Sequence, residues 1–503
     1  MKRSSGPIGF VLGALFGLLV ASVFHLGSRA AGLPFAPFDV FEVVTRILPG
    51  AIVGAGIDLM VAIIRGLGIG PTSAVAKLAE QAMAVVMFVS ASAVLGALVA
   101  LAGKRVRAAG AAAGFVLFAI AAASEIALHV ATVAGIVWLA CVLAGWSVAI
   151  VVSLERSATS MSRRRFVGGL AGAVAAASSV LLGVAALFRR ASNEVGAGEL
   201  TSAPAGRIAP VPGTRAELTP NDRFYRIDID LAPPRIDAAS WKLRVEGLVD
   251  EPLDLSLDRI RAMPPASMIA TLACISNPVG GDLISTTRWT GVRLRDVLRL
   301  ARARDGARAV EIDAADGFYE SVSMADANDD RTLLVYAMND VPLAAEHGFP
   351  LRIIIPNRYG MKQPKWIRRL RVIDNEGRGY WVERGWNREA TVQTTSVIDR
   401  VQSSMMIGTA KALPIGGIAY AGARGISKVE VQVDDGPWTE ATLVAPPLSA
   451  LTWVLWRYDW PYSSGKHTFR VRAYDGTGAL QPTRERGPHP DGATGIHSVT
   501  MTV

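Results

Sequence analysis

The sequence predicts three units in series: an N-terminal α-helical membrane bundle, a mixed α+β domain and a C-terminal all-β sandwich. Three observations predict this. Of the 503 residues 51% are hydrophobic, and long uncharged runs of them crowd the first 190 positions. A stretch rich in Ala, Gly, Pro and Ser, without periodicity, then reads as a linker over 191–214. Beyond it come short alternating runs separated by Gly, Asp and Pro turns, mixed with helical patterns over 215–395 and without them over 396–503.

Within the first unit, the runs 8–24, 82–102, 111–130 and 132–152 are long and apolar enough to cross a bilayer. A fifth, 166–188, follows the string Ser162-Arg163-Arg164-Arg165-Phe166-Val167. Ala and Gly crowd these runs, which favours close helix packing. Basic residues stand at their ends (Lys2, Arg3, Lys104, Arg105, Arg107, Arg163, Arg164, Arg165), the pattern of cytoplasmic loops. This placement accounts for much of the net charge of +9, so the chain is read as a membrane protein and not as a nucleic-acid binder. If those basic clusters share one side, the segment 37–67, broken by Pro49, Asp58 and Arg65, does not cross. Its stripe of Val40, Val43, Val44 and Ile47 opposite Glu42 and Arg46 predicts an interfacial or re-entrant helix on the outer side, with a sixth span as the alternative. Asp58 and Glu125 are too few charges for a transporter or channel, and His25 and His129 form no persuasive haem pair.

In the second unit, Asn221 to Tyr225 reads as a turn leading to a strand over 224–229. An alternating strand follows over 241–249, then a helix over 255–263 capped by Ser256 or Asp254. The apolar run 268–273 ends in Cys274, one of two cysteines in the chain; the other, Cys141, lies in an apolar run, so no disulfide framework exists. A free cysteine is by default a small hydrophobe. Here, however, Ser276, Asn277, Pro278, Gly280 and Gly281 follow at once, a strand emptying into a loop where small residues let a bulky ligand come close. A helix over 294–303 and two strands, 310–314 and 318–324, joined at Asp316-Gly317, come next. The third unit offers strands over 428–433, 453–460 and 467–474 with Asp-Gly turns, a spacing that predicts an immunoglobulin-like sandwich. His489 and His497 share no metal-ligand spacing, so zinc is not expected.

The run containing Cys274, Asn277, Gly280, Gly281, Trp289, Gly291, Val292, Leu294 and Leu298 resembles the molybdenum-binding segment of the sulfite oxidase family of molybdopterin enzymes. The resemblance covers about residues 215–503 and implies that Cys274 is the only protein ligand to molybdenum, a soft thiolate suited to a metal already held by dithiolene sulfurs. It further implies that Asn221, Phe224 and Tyr225 touch the pterin, and that His347 and Arg352, in His-Gly-Phe-Pro-Leu-Arg, contact the cofactor. A guanidinium at 352 also suits the terminal phosphate on chemical grounds. A third cofactor element is Gly360, Met361, Lys362 and Lys365, and Tyr319 occupies about the place of an active-site tyrosine. Gly417 to Ala419, Val429 to Val431, Gly436, Trp438 and Trp453 resemble the family's dimerisation domain, implying a homodimer.

Where the family follows its cysteine with a basic string, this chain has Ile275-Ser276-Asn277-Pro278-Val279, which leaves sulfite in doubt as substrate. The expectation is therefore a membrane-anchored, molybdopterin-dependent oxidoreductase acting on a small substrate by oxygen-atom transfer, with a separate electron acceptor or donor. Sulfoxide-type reduction and a non-catalytic binding or scaffold role are the alternatives. A pterin-loaded domain must cross the membrane folded, so Arg163-Arg164-Arg165 is read as a twin-arginine-like export signal, its helix kept as an anchor and the catalytic domain placed on the periplasmic or extracellular side.

Overall fold

The computed structural model describes residues 6–49, 72–128, 131–159, 209–444 and 446–503, with scattered helical positions at 52–64 and 172–179. The chain divides into two compact units, Met1–Leu67 with Val75–Val195, and Gly68–Ala74 with Gly196–Val503.

The first unit contains helices α1 (Gly6–Ala31), α2 (Ala36–Ile47), α3 (Thr72–Leu101), α4 (Val106–Ala127) and α5 (Val133–Thr159). Four helices, built around α1, α3, α4 and α5, are long and apolar enough to cross a membrane. They carry the runs expected at 8–24, 82–102, 111–130 and 132–152, whereas Arg163 to Arg165 and most of the run 166–188 lie outside the described residues. Glycine sets how closely the helices approach. A Cβ at Gly13 would stand 2.3 Å from the Ser92 carbonyl oxygen, and one at Gly96 would stand 2.4 Å from that of Gly9, so α1 and α3 touch backbone to backbone. Ser147 Oγ on α5 donates to the Gly110 carbonyl on α4 at 2.7 Å. A Gly13→Leu variant is expected to lose at least about 2 kcal/mol of bundle stability, because backbone cannot yield as a side chain does. Size-exclusion profiles of detergent-solubilised protein during heating measure it.

Helix α2 has the amphipathic pattern read from the sequence, turned so that Glu42 is buried, paired with Arg46, while Ile47 is 77% exposed. Val44 and Ile47 face outward, while Ala36, Phe38 and Val40 pack on the bundle core.

The second unit is β-rich. One sheet joins β1 (Lys242–Gly247), β2 (Leu253–Ser256), β5 (Ala309–Ala314), β6 (Tyr319–Ser323) and β10 (Ile367–Ile373) in the order β2-β1-β10-β5-β6, with β1 and β10 parallel. A second joins β3 (Ala266–Ala273), β4 (Ile284–Arg293), β7 (Leu333–Met338) and β8 (Val341–Pro342) in that order, with β9 (Arg352–Ile354) also on β7. Alternation in β1 buries Leu243 and Val245 completely, in a core shared with Val310, Ile312 and Leu370. Helix α6 (Leu257–Arg261) starts where expected, Ser256 Oγ accepting from the Arg259 amide at 3.2 Å. It is shorter than 255–263 because Leu255 is held in β2 opposite Leu243. Helix α7 (Leu294–Leu300) stops short of Ala303 as Arg302 adopts a φ of 55°. The segment 224–229 forms no strand; a 3₁₀ turn at Asn221–Arg223 leads into unpaired chain whose Tyr225 amide donates to Ser285 Oγ. A side chain has taken the place of a ladder partner.

Strands β11 (Thr395–Val401), β12 (Met405–Ile407), β13 (Ala410–Tyr420), β14 (Ile426–Val433), β15 (Thr439–Val444), β16 (Val454–Pro461), β17 (Lys466–Asp475) and β18 (His497–Thr502) follow. All pair antiparallel in one eight-stranded sheet, order β11-β13-β16-β15-β14-β17-β18 with β12 on β13. The sheet curls so that β11 at one end packs on β17 and β18 at the other, enclosing Trp456, Phe469 and Val471. It is a barrel-like all-β unit whose sheet is continuous through β15.

Candidate active site

Cys274 follows β3 directly. Its amide donates to the Leu283 carbonyl at 2.9 Å and its carbonyl accepts from the Asn277 amide at 3.1 Å, so a tight loop leaves the strand end. Asn277 Oδ1 accepts from the Leu283 amide at 2.9 Å and closes that loop. Gly280 (φ 74°) meets the C-terminal sheet here, for a Cβ on it would stand 2.3 Å from the His497 ring. The thiol is buried, with Sγ 3.0 Å from Ser276 Oγ. Burial pushes its pKa up, opposed in part by hydrogen bonds from Ser276 and the Ile275 backbone. A thiolate therefore needs a metal or another positive partner to form at neutral pH.

An aromatic cluster surrounds this end of β3. Phe224 and Tyr225 stack at 5.4 Å, and Phe224 meets Trp289 and His347 edge-on, each at 5.5 Å. Phe224, Tyr225, Cys274 and Trp289 share one buried core. Burial, and then the nearby Cys274, push the Tyr225 hydroxyl well above the usual tyrosine range, so it is a proton donor at any ordinary pH. Gly360 is apposed to it, since a Cβ there would lie 3.1 Å from the Tyr225 hydroxyl. Met361 is buried in the adjoining core with Ala273, Ile275 and Tyr359.

Arg352 is fully buried on β9, its guanidinium 4.9 Å from the centre of the Trp289 ring. Nη1 donates to the His347 carbonyl at 3.1 Å, while Nε is buried with no hydrogen-bond partner. No carboxylate pairs with it among the described residues, and burial lowers its pKa to about 10. His347 Nε2 donates to the Asn221 carbonyl at 2.9 Å. Its pKa is lowered to about 4, by burial first and then by Lys365 and Arg352, so it is neutral. The Asn221 side chain is itself engaged, donating to the Met338 carbonyl at 3.1 Å and accepting from Asn339 at 2.8 Å.

Phe224, Tyr225, Cys274, His347, Arg352 and Gly360 thus come together, with Asn221 bracing His347. Lys362 and Tyr319 are held by partners outside this cluster, while Lys365 lies beside His347 and Arg352 but is ion-paired. Lys362 Nζ is buried against Glu320 at 2.7 Å and the Ser321 carbonyl at 2.6 Å. Lys365 Nζ donates to Asp228 at 2.6 Å and the Glu346 carbonyl at 3.0 Å, its pKa lowered to about 8 chiefly by burial. The Tyr319 hydroxyl donates to Glu383, and its ring joins Tyr380 and Arg378. No contact among the described residues joins Tyr319 to Cys274, Tyr225 or Arg352. Sequence reasoning gave no role to Tyr359, which heads the third cofactor element, or to Ser276, in the loop after the cysteine. Tyr359, its hydroxyl accepting from the Gln393 amide at 3.1 Å, is close enough for Cys274 to help burial push its pKa to about 12.

Residues 230–381 match the oxidoreductase molybdopterin binding domain, and residues 387–487 the Mo-co oxidoreductase dimerisation domain. The sulfite oxidase of Gallus gallus is 30% identical over 318 residues, which cover 53% of this chain and 68% of that protein. The chain belongs to the sulfite oxidase family. It is a molybdenum-cofactor-dependent oxidoreductase. The sulfite oxidase of Arabidopsis thaliana is 29% identical, covering 46% of this chain and 71% of its own. A protein of Azospira oryzae named as a putative protein-methionine-sulfoxide reductase subunit, YedZ1, is 34% identical over 30% of this chain and 56% of its own. The crystal structure of the sulfane dehydrogenase SoxCD from Paracoccus pantotrophus superposes with a TM-score of 0.51 at 22% identity, over 60% of this chain and 86% of that one, and shares the fold.

The residues present fit the cofactor this family carries. A soft sulfur donor stands at a strand end, a glycine opens space beside it, and a buried guanidinium with an unused N–H awaits an anion.

Proposed function

We propose that this member of the sulfite oxidase family is a membrane-anchored enzyme carrying out two-electron oxygen-atom transfer on a small substrate. One observation carries the reading: a buried thiol and a buried guanidinium, in ion-pair contact with no carboxylate among the described residues and with an unused N–H, are set around one aromatic cluster, which suits a large anionic cofactor ligated through sulfur. When bound, that cofactor supplies the metal redox step and the oxygen-atom chemistry. The chain's own residues do the rest. Cys274 ligates the metal, and Arg352 grips the anionic end of the pterin. Phe224, Tyr225, His347 and Gly360 shape its berth, and the protonated hydroxyls of Tyr225 and Tyr359 are the donors nearest the thiol.

Electrons pass to or from a separate protein. The catalytic unit faces the periplasm or cell exterior, with Arg163 to Arg165 as its export signal. The C-terminal unit, read as an immunoglobulin-like relative, makes the homodimer, in keeping with its match to a dimerisation domain. The strength of the four apolar helices supports the anchor.

A second reading, reduction of a neutral sulfoxide-like substrate, is favoured by the charge around the thiol. The crevice beside the cysteine loop, which includes Asn277, Tyr359, Gln393 and Tyr420, has no Lys, Arg, Asp or Glu among its described lining residues. Among the described residues no cation lines the crevice itself, and Arg424 acts on it only from behind Tyr359 and Tyr420, whereas a neutral polarised oxygen can accept hydrogen bonds there. Steady-state assays on molybdenum-loaded protein, with sulfite plus an oxidant and with methionine sulfoxide plus a reduced dye, separate the two. A kcat/KM for the sulfoxide at least about tenfold above that for sulfite decides for the second reading, and turnover of neither by fully loaded protein sinks both.

A further inference from the structure

Strand β3 leads directly into Cys274, yet it is an edge strand: β4 pairs with one side and, among the described residues, no strand pairs with the other. Thr271 and Thr286 are buried, so the free edge has to find partners away from water. It finds them in the C-terminal sheet. The Tyr420 hydroxyl donates to the Thr271 carbonyl at 2.9 Å, and the Thr271 amide donates to the Leu451 carbonyl at 3.0 Å. Thr271 Oγ1 accepts from the Trp453 amide at 2.9 Å, and Ser449 Oγ donates to the Ile269 carbonyl at 2.6 Å. Two consecutive outward-facing positions of the strand are thereby stitched shut, the second of them only three residues before Cys274. Tyr420 itself is 3% exposed and ends β13, whose other residues form the barrel-like sheet.

We infer that Tyr420 is a positioning residue, holding the strand that carries Cys274 and so fixing where its sulfur stands. The domain that matches a dimerisation module is on this account also a wall of the metal site. The inference rests on Cys274 being the molybdenum ligand. Nothing else in the crevice can take the hydroxyl's place, because the Thr271 carbonyl faces away from β4 and has no other donor beside it among the described hydrogen bonds. Removing the hydroxyl while keeping the ring should let the strand end relax and the sulfur move.

The test uses the full chain. Tyr420→Phe is compared with wild type, with Cys274→Ser and with Ser396→Ala. The last removes a different buried hydrogen bond in the same domain, from Ser396 Oγ to Gln481 at 2.7 Å, without touching β3. Electron paramagnetic resonance of the half-reduced metal reads its sulfur ligand. In cofactor-free protein carrying Cys141→Ser, the iodoacetamide alkylation rate reads the freedom of Cys274. Tyr420→Phe is expected to shift the resonance, lower kcat about tenfold with little change in KM, and raise the alkylation rate several-fold. Ser396→Ala should change only the melting midpoint. If Tyr420→Phe lowers the melting midpoint but keeps the wild-type resonance and alkylation rate, Tyr420 is merely structural and the inference is overturned. If Cys274→Ser also keeps the wild-type resonance, the ligand assignment beneath it has failed instead.

Discussion

Cys274→Ser is expected to leave a folded chain whose turnover has fallen by more than about a hundredfold, beyond what loss of a residue merely supporting a metal ligand brings. On the proposed assignment, one sulfur is the whole of the protein's bond to the metal. A serine oxygen is harder and stays protonated, so it is a poor substitute for a soft thiolate. The fold should survive, because the loop is closed by backbone bonds of Cys274 and by Asn277, none of which uses the sulfur. Thermal unfolding within a few degrees of wild type, together with metal analysis by mass spectrometry and pterin fluorescence, checks both halves. A variant that retains both metal and turnover would remove Cys274 from the site.

Arg352→Met is expected to act with opposite signs on the empty and the loaded protein. In the empty protein the guanidinium is buried without a carboxylate, and its pKa of about 10 against an ordinary 12.5 corresponds to roughly 3 kcal/mol of unfavourable burial. Some of that relief is offset, since the substitution also gives up the hydrogen bond to the His347 carbonyl and the contact with Trp289. A net gain on the order of 1–2 kcal/mol remains, which raises the melting midpoint of cofactor-free chain by a few degrees. The loaded protein loses the two-pronged grip on an anion, and cofactor retention falls by about 10–1,000-fold. Arg352→Lys, which keeps the charge but not the planar fork, should fall between. Cofactor-free protein made less stable by Arg352→Met would instead show the residue to be a strut.

That the thiol, its loop and the aromatic and arginine residues would lie together was legible because they stand in strings that resemble those of one family, and the structure does bring them into one cluster. What holds the lysines was not legible. Lys362 and Lys365 follow Gly360 closely, as cations near a phosphate would, but sequence does not show which carboxylates wait across the fold. Glu320 and Asp228, 42 and 137 positions away, claim them. Tyr319 sits at the expected distance along the chain, yet Glu383, from a segment with no visible periodicity, holds its hydroxyl. Segment 224–229 has strand-like composition and lacks only a neighbour to pair with, which no local pattern reveals. Helix α2 was legible as amphipathic. Which side faces protein depends on what surrounds the bundle, and sequence alone leaves that open.

The sheltered setting of Cys274 bears on the interval before the cofactor arrives. A thiol kept protonated by its surroundings reacts slowly with peroxide and with disulfides, both of which attack through the thiolate. With Cys274 as the proposed metal ligand, the empty chain shields that sulfur from sulfenic acid and mixed-disulfide damage until a metal takes the proton's place.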